Sequence, residues 1–302
     1  MGIKDKILMS KTLPDFLIVG VARCGTTSLF HYLSQHPELE ASRLKEPKYF
    51  SSASAKNRNG PGDSLINLSE VKTQEDYLRL WSDSNRLKFE ASSDYFYHFN
   101  VTISRIKSEI GDIPIIIALR NPKERSFSSY MNLVRDSREH LAFEKALEME
   151  SDRIEAGYDW MWHYSTGSFY SEGVNSFLNN FSNVHIVLFE NLSMSPKQTL
   201  KEICTFLNVD NSFNFDTNIK FSQSGKAKNI LIKTLTKRDG LLGYIRLLVL
   251  KFIPRSLLQK ISSDWFDKES TPPFPSTISN EFNKDISKLE DLLKRDLTHW
   301  KI

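Results

Sequence analysis

Glycines, hydroxyls and a cation share one short turn near the start of the chain. Gly20 and Gly25 have the spacing of a nucleotide phosphate loop, and Thr26 and Thr27 stand where such a loop ordinarily carries Lys and Ser/Thr. Backbone N–H groups at a helix N-terminus, aided by two hydroxyls, can hold a tetrahedral anion. Arg23, inside the turn, supplies the cation in place of the missing lysine. The alternative is a tight strand-to-helix turn that uses its glycines for geometry alone.

A second arginine ends a later apolar run. Arg120 follows residues 113–119, at the strand end where doubly wound sheets place their ligand residues. Asn121 is placed as an N-cap and Pro122 as the first residue of a helix that carries Ser128. The agreement of strand end, cap and serine spacing predicts a ligand contact by Arg120. A strand-end arginine without a ligand is the alternative.

The elements that position these residues follow from hydrophobic patterning. Short apolar runs typical of buried parallel strands lie at residues 16–19, 113–119 and 184–189, with a weaker one at 87–90. Helical patterns follow at residues 26–34, 122–134 and 195–206. This alternation predicts an α/β fold in three layers, with right-handed crossovers around a central parallel sheet and ligands at the carboxyl ends of the strands.

Composition limits the class of protein. The 302 residues, 40% of them hydrophobic, predict a single domain over 1–302. Because 40 basic residues nearly balance 37 acidic ones, no overall field favours nucleic-acid binding. The two cysteines form no disulfide framework or metal cluster, which favours a reducing compartment, and we expect a cytoplasmic protein without a metal site.

Three segments are predicted to lie outside the central sheet. Residues 1–13 form an N-terminal extension without the apolar core of a secretory signal, and residues 51–68, rich in Ser, Asn and Gly, predict a mobile loop. Residues 240–302 predict a helical region, in which the pattern from Phe282 to Leu293 marks an amphipathic terminal helix. The basic, apolar stretch 241–260 is interrupted by charges, so we expect no membrane crossing; packing on its own domain and peripheral membrane contact both stay open.

The motifs together resemble one family. Val21-Ala-Arg-Cys-Gly-Thr-Thr-Ser-Leu29 resembles the 5′-phosphosulfate loop of sulfotransferases that use 3′-phosphoadenosine 5′-phosphosulfate (PAPS). The segment 117–130 is similar to the 3′-phosphate motif of that family, and Lys45-Glu-Pro-Lys-Tyr-Phe50 resembles its bacterial and carbohydrate branch. Further similar stretches are residues 33–37, 187–192 and 285–300. The resemblance implies a P-loop-like fold and transfer of a sulfuryl group from PAPS to an acceptor hydroxyl or amine, with 3′,5′-adenosine bisphosphate as product.

The resemblance also assigns cofactor contacts. It implies a 5′-phosphosulfate site made of Arg23, Cys24, Gly25, Thr26, Thr27 and Ser28. Arg23 stands where many relatives carry lysine, and its charge can stabilise the bridging oxygen as the S–O bond breaks. Arg120 and Ser128 are assigned to the 3′-phosphate. Further implied contacts come from Tyr170, which is equally compatible with the core, and from a late glycine-basic loop of Ser224, Gly225 and Lys226.

On the acceptor side, Glu46 is the candidate general base, because a carboxylate near the acceptor can take its proton. Lys45 can balance charge on the sulfuryl oxygens, and Ser92 is a candidate acceptor contact. An exposed Lys-Glu pair before a proline turn is the alternative for the first two. A carbohydrate acceptor is favoured because the Lys-Glu-Pro motif resembles that of carbohydrate sulfotransferases, while lipid, small-molecule and peptide acceptors stay open. Two other functions stay open, a P-loop phosphotransferase and an inactive module that binds PAPS or carbohydrate.

Overall fold

The computed structural model describes residues 13–52, 54, 58–64, 70–218 and 269–301, and the backbone of 226–227 and 266–267. Its contacts divide the chain into two compact units. The sheet unit comprises the described residues of Met1–Lys56, Ser69–Arg120 and Ser171–Asn218. The second unit comprises those of Asn57–Leu68, Asn121–Tyr170 and Ile219–Ile302. The assignment of all 302 residues to one domain stays a prediction.

The sheet unit is built on five parallel strands in the order β2-β3-β1-β4-β5. Their bounds are β1 Phe16–Gly20, β2 Leu39–Ala41, β3 Leu87–Ala91, β4 Ile115–Leu119 and β5 Val184–Leu188. Every residue of β1 and β4 is buried, as expected for strands covered on both faces. The predicted α/β fold with a central parallel sheet is therefore confirmed. The short β2 was not predicted.

Helices follow the strands as the patterning indicated. Their bounds are α1 Thr26–Leu33, α2 Gln74–Leu78, α3 Phe99–Glu109, α4 Pro122–Arg135, α5 Phe143–Glu148, α6 Glu150–Glu155, α7 Ser171–Asn180, α8 Phe189–Met194, α9 Pro196–Leu207 and α10 Ser276–Leu293. The side chain of Asn121 accepts a hydrogen bond from the Lys123 N–H at 3.0 Å, which confirms the predicted cap of α4. Within the described residues, no helix is both long and apolar enough to cross a membrane.

The core of the sheet unit lies between the sheet and its helices. The rings of Phe16 on β1 and Phe89 on β3 stack at 4.8 Å between centroids. On α7, Gly173 leaves room for Phe96, because a Cβ there would lie 2.6 Å from the Phe96 ring. Close packing of this kind holds the strands rigidly, so the loops at their ends have fixed starting points.

The second unit contains buried charged side chains. Arg125 on α4 is only 1% exposed and donates to the backbone oxygens of His163 and Tyr164, at 3.1 and 3.2 Å. Arg125 is therefore a buried cation whose hydrogen-bond partners lie inside this unit. Asp63 is fully buried, is paired with Arg138 and accepts the Asp159 N–H at 2.9 Å. This part of the predicted loop 51–68 is thus packed, and the mobility of the loop stays a prediction.

Several predicted features lie outside the described residues. These are Ser224, Gly225, the side chain of Lys226, the stretch 241–260, and all but the last residue of the extension 1–13. The terminal helix is described, and α10 begins six residues before the predicted pattern. Its apolar side chains at 282, 286 and 289 are buried, which confirms that the helix is amphipathic and packed.

Candidate active site

Four strand ends meet at one edge of the sheet. The loop 21–25 follows β1, the turn 92–95 follows β3, Arg120 follows β4, and α8 begins directly after β5. Because these strands are parallel neighbours, their carboxyl ends lie at the same edge. This is the position where open α/β sheets bind their ligands.

The turn after β1 is shaped by Gly25. Its φ of 88° is left-handed, and a Cβ there would lie 2.9 Å from Leu192 and 3.0 Å from Phe189. The helix α1 begins immediately afterwards, with no acidic residue in its first turn and no side-chain cap. Its first N–H groups, including those of Thr26 and Thr27, have no intrahelical acceptor and can serve an anion.

Two arginines lie at this turn. Arg23 has a left-handed φ of 71°, and its backbone oxygen is 3.5 Å from Nη1 of Arg120. The guanidinium of Arg120 lies over the Phe189 ring, 4.6 Å from its centroid. The structure therefore brings the phosphate-type turn and the strand-end arginine together. The side chain of Cys24 is fully buried, so only its backbone can serve a ligand.

Glu46 is held by residues of two segments. Its Oε1 accepts from Lys45 Nζ at 2.5 Å and from the Ser93 hydroxyl at 2.8 Å, and its Oε2 accepts from the Ser93 N–H at 2.9 Å. The Glu46 N–H donates to the Ala91 oxygen at 3.0 Å, which joins this segment to the end of β3. The Glu46 side chain is 26% exposed, so it stays within reach of solvent and of a ligand.

The environment keeps Glu46 ionised. Burial acts to raise the pKa of its carboxyl, but the charges of Lys45 and Lys48, the Lys45 hydrogen bond and the hydrogen bond from the Ser93 N–H outweigh burial and lower the pKa below its ordinary value. A carboxylate of this kind is unprotonated at neutral pH and can accept a proton. Lys45 and Glu46 are an ion pair with both members mostly covered, and an exposed surface pair is the wrong description.

Ser92 and Glu90 lie behind Glu46. The hydroxyl of the fully buried Ser92 donates to Glu90 Oε2 at 2.8 Å and accepts the Lys48 N–H at 3.0 Å. The predicted acceptor contact by Ser92 stays a prediction, and its hydroxyl has two partners inside the protein. Burial raises the pKa of Glu90 to about 8, and the negative charges of Glu46 and Asp94 act in the same direction.

Two predicted cofactor residues belong to the second unit. Ser128 lies on α4 and is buried. Tyr170 is fully buried, its N–H donates to Asp285 at 2.7 Å, and its ring centroid lies 6.4 Å from that of Trp300. These contacts give Tyr170 a place in the core of this unit. The cofactor contacts assigned to both residues stay predictions.

Three residues that the sequence analysis did not assign to the site help to shape it. Phe189 contacts both Gly25 and Arg120, Ser93 holds Glu46, and Glu90 lies beneath Ser92. Phe189 is the last residue of a predicted strand, so its position at the sheet edge was the available signal. The hydrogen bonds of Ser93 and Ser92 with the segment around Glu46 span more than 40 positions of the chain, so helix or strand periodicity does not reveal them.

Comparisons with known proteins agree with this arrangement. Residues 14–213 match the model of the sulfotransferase family. A crystal structure of a sulfotransferase from Alicyclobacillus acidocaldarius is 31% identical and superposes with a TM-score of 0.73, covering 95% of this chain and 98% of that one. The chain belongs to the sulfotransferase family. The predicted recognition, P-loop-like fold and enzyme class are confirmed.

Curated relatives share shorter regions. Bifunctional heparan sulfate N-deacetylase/N-sulfotransferase 1 of Caenorhabditis briggsae is 23% identical over 232 residues, which cover 71% of this chain and 25% of that protein. Membrane-associated sulfotransferase kil1 of Dictyostelium discoideum is 32% identical over 149 residues, covering 47% of this chain and 29% of that protein. The chain thus spans about a quarter of the length of these relatives.

Proposed function

We propose that the chain transfers a sulfuryl group from PAPS to an amine or hydroxyl of a carbohydrate, with Glu46 as general base. The observation that carries this proposal is the junction of the Gly25 turn, Arg120 and the Lys45-Glu46 pair at one edge of the sheet. Family membership supports the reaction class. The heparan sulfate and carbohydrate sulfotransferases among the relatives support the acceptor class.

The turn fits the anionic end of PAPS. Glycine at position 25 lets the turn pack closely against Leu192 and Phe189, and no carboxylate stands in the first turn of α1 to repel an anion. Arg120 brings its guanidinium to the turn, and Arg23 is itself a residue of the turn. We assign the N–H groups and hydroxyls of Thr26 and Thr27 to the 5′-phosphosulfate and Arg120 to the 3′-phosphate.

PAPS, when bound, supplies the sulfuryl group. The acceptor oxygen or nitrogen forms a bond to sulfur, the bond between sulfur and the phosphate oxygen breaks, and the acceptor proton goes to Glu46. Arg23 provides positive charge that stabilises the leaving phosphate oxygen. Lys45 offsets negative charge near the reacting group, and it stays close enough to Glu46 to hold the carboxylate in place. The carboxylate accepts the proton directly because it is already ionised.

Calorimetry tests the donor site. We expect 3′,5′-adenosine bisphosphate to bind the full chain and ATP with Mg²⁺ to bind much more weakly. A phosphotransferase would show the opposite order, because its loop would need the metal-bound triphosphate. Equal or reversed affinities would contradict the proposal that this turn is a PAPS site.

Radiolabelled transfer tests the reaction. The full chain is incubated with [35S]PAPS and a panel containing N-unsubstituted heparan oligosaccharides, other glycans and phenols. We expect labelled glycan, and Glu46→Gln should lower kcat by about 100-fold or more while binding of the bisphosphate is kept.

The matched control is Glu109→Gln. Glu109 accepts the Tyr49 hydroxyl at 2.6 Å, so this variant alters a carboxylate beside the same segment but away from the proposed base. It should keep near-normal turnover. Normal turnover by Glu46→Gln would remove Glu46 as base, and label on no member of the panel would remove the transferase proposal. A cytoplasmic location is also proposed, and fractionation of the native host tests it.

A further inference from the structure

A fully buried carboxyl group lies directly behind the segment that carries Glu46. Glu90, near the end of β3, is 0% exposed. The Tyr77 hydroxyl donates to its Oε1 at 3.2 Å and the Ser92 hydroxyl donates to its Oε2 at 2.8 Å. The Tyr95 hydroxyl hydrogen-bonds the same carboxyl group. Three buried hydroxyls therefore converge on one side chain that cannot reach a ligand.

Two of these hydroxyls continue into the segment 45–50. The Ser92 oxygen accepts the Lys48 N–H at 3.0 Å, and the Tyr95 oxygen accepts the Phe50 N–H at 3.3 Å. The Glu90 carboxyl is thus joined through one hydroxyl each to two backbone N–H groups of that segment. The Tyr77 hydroxyl differs, because no hydrogen bond that the structure describes joins it to the segment 45–50.

The segment needs such an attachment because its backbone is strained. Glu46 and Lys48 have left-handed φ values of 62° and 56°, which cost about 1–2 kcal/mol for each non-glycine residue. Such conformations persist when surrounding contacts determine them. The Glu46 N–H bonds to the Ala91 oxygen at 3.0 Å, and the Pro47 oxygen accepts the Val71 N–H at 2.9 Å. The hydrogen bonds from the Lys48 N–H to the Ser92 hydroxyl and from the Phe50 N–H to the Tyr95 hydroxyl complete this set of contacts.

We propose that Glu90 is a positioning residue: through the Ser92 and Tyr95 hydroxyls it holds the Lys48 and Phe50 N–H groups and so fixes the strained turn that presents Glu46. This inference rests on the proposed function, since it assigns Glu90 to the orientation of the proposed base. A simple filler of the core would need only volume at this position. An anchor needs hydrogen-bond acceptors, and this difference makes the two roles separable.

Two substitutions of Glu90 separate the effect of its hydrogen-bond acceptors from the effect of its volume. Glu90→Gln keeps a carbonyl acceptor and the side-chain shape, whereas Glu90→Leu keeps volume and removes every acceptor. Tyr77→Phe is the matched control, because it removes a hydrogen bond to the same carboxyl but interrupts neither path to the segment. Ser92→Ala interrupts only the path to Lys48 and serves if Glu90→Leu does not fold.

Amide hydrogen exchange of the full chain reads the anchor without any ligand. In Glu90→Leu, the Ser92 and Tyr95 hydroxyls each lose their hydrogen bond to Glu90. Exchange at the Lys48 and Phe50 amides should therefore accelerate about three- to tenfold, as expected for the loss of one hydrogen bond. Glu90→Gln and Tyr77→Phe should keep wild-type exchange at both amides. Ser92→Ala should accelerate exchange at Lys48 and leave Phe50 unchanged.

Turnover and donor binding complete the test. Glu90→Leu should lose about tenfold or more in kcat with the affinity for 3′,5′-adenosine bisphosphate kept within about twofold, and Glu90→Gln should restore turnover. Wild-type exchange at both amides in the folded Leu and Ala variants would overturn the inference, as would faster exchange with unchanged kcat. Failure of the proposed function appears instead in the wild type, as no label transferred to any acceptor.

Discussion

The two carboxyl groups at the end of β3 predict opposite responses of stability to pH. Glu90 is fully buried, and burial raises its pKa from 4.5 to about 8. Between these values the folded state binds a proton that the unfolded state has lost. The free energy of unfolding therefore falls as pH rises through this window. Glu90→Gln removes the titration and keeps the shape of the protonated side chain, so the variant isolates this contribution.

The expected magnitude follows from the shift. Each pKa unit corresponds to about 1.4 kcal/mol, so the whole shift is worth roughly 5 kcal/mol, of which roughly 3–4 kcal/mol is lost between about pH 5 and about pH 8. The stability of Glu90→Gln relative to the wild type should rise by that amount across the same interval. Other titrating groups are common to both proteins and largely cancel in the difference.

Urea unfolding followed by circular dichroism at several pH values measures the difference. Glu46→Gln provides a comparison of opposite sign, since the pKa of Glu46 is lowered by Lys45 and Lys48. The Glu46 carboxylate stabilises the folded state above its ordinary pKa of 4.5, and this contribution is lost as pH falls through the lower folded-state value. Its replacement should therefore cost more near neutral pH than in acid.

One result would refute this reasoning directly. If the free-energy difference between Glu90→Gln and the wild type is the same near pH 5 and near pH 8, Glu90 does not hold its proton in the folded state. The variant that carries both Glu46→Gln and Glu90→Gln provides a further check. Because the charge of Glu46 contributes to the raised pKa of Glu90, the pH dependence assigned to Glu90 should be smaller when Glu46→Gln is also present.

Three further changes have defined outcomes. Arg120→Ala should weaken binding of 3′,5′-adenosine bisphosphate by about tenfold or more in calorimetry, since a charge-assisted phosphate contact contributes ~1.5–3 kcal/mol; unchanged affinity would contradict its assignment. Gly25→Ala should abolish that binding, because its Cβ would collide with neighbouring side chains, whereas Gly111→Ala, with a positive φ but nothing within 4 Å, should bind normally. Arg138→Ala should lower the free energy of urea unfolding by about 3–5 kcal/mol by leaving the buried Asp63 unpaired, and a loss below about 1 kcal/mol would contradict this.

The fold was predictable where burial is continuous along the chain. The runs that became β1 and β4 are covered on both faces, so their apolar character is visible without knowledge of their neighbours. The strand β2 was missed because it has three residues and carries Glu40 in its centre. A carboxylate is tolerated in this strand because the N–H and the hydroxyl of Ser82 both donate hydrogen bonds to Glu40 at 2.8 Å. Such a contact is invisible to local patterning.

In the candidate site, too, local features were predictable and contacts between distant residues were not. The turn from Arg23 to Thr27 is local, and its glycine, cation and hydroxyls can be read from adjacent positions. Its nearness to Arg120 also follows from parallel strands that end at one edge. Lys45 and Lys48 are local to Glu46, but the two hydrogen bonds from Ser93 come from more than 40 positions away, and no single-sequence periodicity connects them to it.

The division of labour between Glu46 and Glu90 follows from their surroundings. Both are glutamates at one strand end, yet Glu46 faces two lysines and keeps an exposed edge, whereas Glu90 is enclosed by aromatic rings and hydroxyls. Opposite environments drive the two pKa values apart, which is how active sites assign different roles to like groups. A group that must take a proton from an acceptor has to be ionised and reachable, and only Glu46 meets both conditions. Glu90 is proposed to hold the strained backbone of the segment 45–50 through hydroxyl groups, and this role requires a fixed side chain that water does not reach. Its complete burial meets that requirement.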